Sequence, residues 1–209
     1  MAQADTQGTQ RNTRRRRLLL RGLLVLVGVI ALGAWLYPTG RTPKSAYYRV
    51  AAAVNGGSNK RIFRSIELRA QHASFTIQSY HRKSYELVER DFPEPARTQT
   101  LARLAPMAQA RDGVEVFALY AERHGWVARL RHDLSGIASI EIQGERATVA
   151  TLLGTRYPFR RGEDGIWGLT LFTARLVADA EKAARDHAMI EAAASDYRAA
   201  SLRGEVPKP

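Results

Sequence analysis

Cysteine is absent from the chain, which excludes disulfides and a lipid-modified cysteine anchor. Negative charge is scarce: 20 Asp and Glu stand against 32 Lys and Arg, for a formal net charge of +12. Metal-ligand spacing is also lacking. His72, His81, His124, His132 and His187 include no i, i+4 pair that would put two imidazoles on one helical face, so no metal site is expected. Glycines are scattered as turn residues with no G-x-G-x-x-G and no phosphate-binding loop, and no cofactor is implied. Lysines and arginines do not cluster with interleaved aromatics, so nucleic acid is not among the expected partners. His132 and Asp133 are adjacent, and neighbours on a helix point in different directions. Glu141, Glu145, Glu163 and Asp164 fall in or beside turn sequences, where solvation explains them. No catalytic residue is assigned.

One long hydrophobic run is present. Residues 18–37 form a twenty-residue stretch in which twelve positions are Leu, Val or Ile. As a helix it would extend roughly 30 Å, the thickness of a bilayer's hydrocarbon core. Arg14, Arg15, Arg16 and Arg17 precede it, and Arg21 lies one turn inside, where its stem can reach the headgroups. Trp35 and Tyr37 supply interfacial rings at the far end, and Pro38 and Gly40 stop the helix. The excess of arginine before the span places the N-terminus inside. These residues read as a membrane anchor, so the lipid bilayer is the first expected partner. The expected domains are a basic cytoplasmic tail (1–17), a transmembrane helix (18–37), a linker (38–44), an extracytoplasmic body (45–203) and a loose end (204–209). A signal peptide cleaved near Ala31, Gly33 and Ala34 is the alternative, and would release a periplasmic protein.

The body reads as α+β. Ser45 is expected to cap a first helix carrying Tyr47, Val50, Ala51 and Val54, stopped at Asn55, Gly56 and Gly57. Ile62, Phe63 and Ile66 give a second stripe, and Ile77, Tyr80, Ser84, Leu87 and Val88 a third that ends before Pro93, with a break at 74–78 left open. Leu101 and Leu104 mark a brief helix stopped near Pro106, Asp112 and Glu115 a capping box, and Trp126, Leu130 and Leu134 one further stripe. The period then changes to two. Ile140 and Ile142, residues 148–153, Tyr157 with Phe159, and Trp167 with Leu169 and Leu171 predict a meander of three or four antiparallel strands. Pro158 would confine its strand to an edge. A long C-terminal helix carrying Leu176, Ala180, Ala183, His187, Ile190, Ala194 and Tyr197 is expected to cover the sheet.

The segments AYYRVAAAV, NGGSNK, RIFRSIE and GIWGLTLF, in that order, resemble NTF2-like domains, cone-shaped α+β bodies in which a bent sheet wraps helices. The chain is similar as well to bitopic secretion-system components that hold such a domain in the periplasm. The resemblance implies that Glu67, His72 or His81 could face a cavity, and His187 joins these ligand-binding candidates from its place on the apolar stripe of the last helix. Arg11, Arg14–Arg17 and Arg21 against Asp5 account for +5 of the net charge, leaving +7 elsewhere. That excess would attract anionic cell-wall polymers or other envelope proteins. The expected function is a membrane-anchored binding or scaffolding module of the inner membrane, with a small-ligand or enzymatic cone as the alternative.

Overall fold

The computed structural model describes residues 40–204. Seven helices and a four-stranded antiparallel sheet make an α+β body. The expected fold, a transmembrane helix leading such a body, is corrected in its first part: among the described residues no helix is long and apolar enough to cross a membrane. Residues 1–39 and 205–209, including Arg14, Arg15, Arg16, Arg17, Arg21, Trp35 and Tyr37, lie outside the described residues.

Helix α1 (Pro43–Asn55) starts earlier than expected, because Thr42 rather than Ser45 is its cap. The Thr42 hydroxyl accepts from the Ser45 amide at 3.1 Å, and Ser45 returns the bond to the Thr42 amide. With Pro43 in the first turn, where its missing amide costs nothing, the local sequence determines this start. Ser58 caps the short α2 (Asn59–Phe63). Helix α3 (Leu68–Asp91) runs unbroken through 74–78. Ser74 and Thr76 donate their hydroxyls to carbonyls four residues back, at 3.1 and 3.0 Å, sharing those acceptors with the helix ladder without interrupting it.

Helix α4 (Ala96–Ala108) continues past Pro106 instead of stopping there. A proline this near the end removes only one ladder bond, and buried Met107 and Ala108 hold the last turn. At α5 (Gly113–Arg123) Asp112 accepts from the Glu115 amide at 3.0 Å. Glu115 reaches back one residue further than a capping box requires, to the Arg111 amide at 2.8 Å. Gly125, at φ 62°, separates α5 from α6 (Trp126–Asp133).

Strands β1 (Ile137–Gln143), β2 (Arg146–Thr151), β3 (Arg156–Arg161) and β4 (Trp167–Leu169) lie in sequence order. The meander is as expected, but Pro158 sits in an interior strand, not at an edge. Its carbonyl accepts from the Thr170 amide at 3.0 Å, so its nitrogen also faces the β4 side, just where β4 ends and no ladder bond is demanded of it. Leu171 leaves the apolar face and is 49% exposed.

Ala147, Val149, Tyr157, Phe159, Trp167 and Leu169 form the buried inner face of the sheet. Helix α1 lies on it: the Tyr47 and Tyr157 rings are 5.5 Å apart, and the Tyr47 hydroxyl donates to the Ser135 carbonyl at 2.6 Å. Phe63, Phe117, Trp126 and Phe172 continue this core, with Trp126 stacked on Phe172 at 4.4 Å.

The last helix, α7 (Thr173–Leu202), does not cover the sheet as expected but packs along α3. The two helices are parallel, since Thr173 meets Glu67, His187 meets Ser84 and Arg198 meets Asp91. Alanines at 70, 73, 180 and 183 allow the close approach. Beyond the main core, Val88, Phe92, Leu104, Ile190 and Ala194 form a second cluster where α3, α4 and α7 meet.

Candidate functional site

The outer face of the sheet carries alternate residues of β2 and β3. Thr148 pairs with Pro158 and Arg146 with Arg160. Two guanidinium groups therefore stand directly opposite each other, an arrangement that is unfavourable unless an anion lies between or beside them. Helices α3 and α7 begin next to this face, and Arg69 adds a third guanidinium from the first turn of α3. Together these residues rim a groove of about 410 Å³ with Thr148, Thr170 and Thr173 hydroxyls in its walls.

Glu67 is the one carboxylate of the groove, with its side chain 12% exposed. It accepts from the Thr173 hydroxyl at 2.8 Å, and its other oxygen is 3.7 Å from Arg160 Nη1. No side chain caps either α3 or α7, and neither has an acidic residue in its first turn. The Glu67 carboxylate thus sits at the start of α3 and beside the start of α7, where helix dipoles present positive ends. It offsets one of three arginines. Among the described residues Arg69 and Arg146 have no carboxylate partner.

The four candidates from the sequence are dispersed. Glu67 is in the groove, whereas His72 is exposed on α3 with its imidazole outside the groove lining. His81 and His187 lie farther along the α3–α7 seam. His187 Nδ1 is 3.0 Å from the Ser84 hydroxyl, and its ring is 5.4 Å from that of Tyr80. Among the described residues buried His81 Nδ1 has no hydrogen-bond partner, and burial pushes the His81 pKa down, with Asp186 opposing and Lys182 and Arg103 assisting. Among the described residues no group of His, Asp and Glu could hold a metal ion. The arginine groove escaped sequence reasoning because Arg69, Arg146 and Arg160 are far apart in the chain. The only local signal was the alternation that puts Arg146 and Thr148, or Pro158 and Arg160, on one face.

A second concavity, about 280 Å³, lies between α6 and β3, lined by Trp126, Arg129, Asp133, Tyr157 and Phe172 among others. Among the described residues the buried Tyr157 hydroxyl has no hydrogen-bond partner, and burial pushes its pKa up to about 12, with Tyr47 and Asp133 adding to the shift. It is a neutral donor at physiological pH.

No protein family, curated protein or solved structure matches this chain. The resemblance to NTF2-like domains therefore rests on the sequence segments alone.

Proposed function

We propose that this chain is a membrane-anchored binding module of the cell envelope, whose α+β body holds anionic polymers or acidic partner proteins on the outer face of its sheet. The observation that carries this reading is the groove rimmed by Arg69, Arg146 and Arg160, in which Glu67, beside Arg160, is the single carboxylate. A guanidinium fork suits carboxylate and phosphate oxygens, and the Thr148 hydroxyl beside it can donate to the same groups, whereas those of Thr170 and Thr173 already donate to the Pro158 carbonyl and to Glu67. Attachment to the inner membrane, N-terminus inside, is part of the proposal and rests on the sequence of residues 11–37.

The test is sedimentation of the purified full chain with anionic cell-wall polymer and, separately, with polyglutamate across a salt series. Arg69→Ala, Arg146→Ala and Arg160→Ala are each expected to weaken binding roughly threefold to tenfold and to flatten its salt dependence. Unchanged binding in the triple variant would refute the assignment.

A further inference from the structure

The two edges of the sheet differ. The β4 edge is closed by the chain itself: the Trp167 amide donates to the Gly40 carbonyl at 2.8 Å, and the Leu169 amide to Ser65 at 2.9 Å. The Glu67 amide returns a bond to the Leu169 carbonyl at 2.9 Å. Among the described residues nothing pairs with the far side of β1. Seven residues long, β1 contains neither Pro nor Lys, and its pairing with β2 is regular from Ser139 to Gln143 after a register shift between Ile137 and Ser139.

Pro158 determines which groups this edge presents. Because its carbonyl points to β4, its partner Thr148 must direct its own amide and carbonyl to β1, where it pairs with Glu141. Groups alternate along a strand, so Ile140 and Ile142 aim their backbone N–H and C=O outward. Their side chains share the inner face with Val149 and Ala147. Ala147 is 4% exposed but Ile142 is 57% exposed, so the apolar layer stops one strand short.

We propose that the β1 edge joins two copies of this chain, with their β1 strands antiparallel about a twofold axis at Ile140, so that the sheets continue into one of eight strands. In that register Ile140 meets its own counterpart on the inner face. On the outer face Glu141, held by Arg156 at 2.9 Å, lies opposite Ser139 of the second copy. The neighbouring register that also keeps faces aligned, centred on Glu141, would oppose two carboxylates and is disfavoured. In this register no like charges are opposed and the apolar face of one strand continues into that of the other, which a second copy satisfies without requiring another sequence.

The absence of cysteine makes the test direct. In a hydrogen-bonded antiparallel pair the Cα atoms are about 5.5 Å apart, within the roughly 4.4–6.8 Å that a disulfide spans. The Ile140→Cys full chain, purified in detergent and oxidised, is expected to form a covalent dimer, whereas Thr148→Cys, two strands from the axis, is not. Adding Ile142→Pro removes an amide that β2 does not use. It should cut dimer yield at least about tenfold, through two lost bonds between copies, while leaving the circular dichroism native. Ile142→Pro in the otherwise unaltered chain should shift sedimentation from dimer to monomer. A folded Ile140→Cys chain that stays monomeric would overturn the proposal, as expected if the edge takes a strand from a different protein. Equal dimer yield with and without Ile142→Pro would overturn it too, and would indicate association through residues 18–37. Anion binding measured on the Ile142→Pro chain reports separately on the arginine groove.

Discussion

At Gly168 the backbone of Ile66 and Glu67 passes so close that a Cβ would sit 2.6 Å from the Glu67 Cα and 2.7 Å from its nitrogen. These are backbone atoms held by the bonds that close the β4 edge, so they cannot swing aside. Gly168→Ala should therefore cost about 1–3 kcal/mol, read as a lower urea midpoint with unchanged slope. The same substitution also moves Glu67, and should loosen the groove. Features of this kind were invisible in the sequence, where Gly168 is one turn-compatible residue among others. Caps were more legible because they are local. Asp112 holds the start of α5 as its spacing to Glu115 predicts, whereas Thr42 displaces Ser45 because Pro43 fits the turn that follows it.

Helical period identified the buried stripe of α7, yet not its counterpart. Leu176, Ala180, Ala183, Ile190 and Ala194 are all buried, but the helix packs chiefly along α3, with Leu176 and Ala180 in the main core and Ile190 and Ala194 in the cluster shared with α4. Periodicity reports that a face needs covering, and any apolar face of suitable length will serve. His81 sits in this seam with an unpartnered buried nitrogen, facing Asp186 and Lys182 from α7 and Arg103 from α4. Its pKa in the folded protein lies below the ordinary value of 6.5. Neutral His81 is thus the folded form, and below that pH the unfolded chain takes up the proton first. Its contribution is fully present above pH 6.5 and is lost as pH falls through the depressed value. The melting temperature should decline below that point less steeply in His81→Gln than in the unaltered chain, measured by circular dichroism in matched buffers.

Two apolar clusters divide the body, a main core at the sheet and a smaller one at the far end of α3, α4 and α7. Ile190 belongs to the smaller cluster, and Ile190→Ala should cost about 2–4 kcal/mol by the cavity it leaves. Amide exchange should quicken first in α4 and the ends of α3 and α7, while the sheet stays protected. Charge shows the same division between local and global. Along the chain the arginines read as a solvated face, and many are so, but β2–β3 pairing and the start of α3 bring three of them onto one groove.

Composition, period and capping residues by themselves determined the α+β class, the order of helices before strands and most element boundaries, because each depends on residues within a few positions of one another. The interior place of Pro158, the parallel pairing of α3 with α7, the gathering of Arg69, Arg146 and Arg160 around Glu67, and the open edge of β1 were decided only by tertiary structure. Each is a relation between segments distant in the chain. Burial and hydrogen-bond closure select such partners from several that local pattern allows equally.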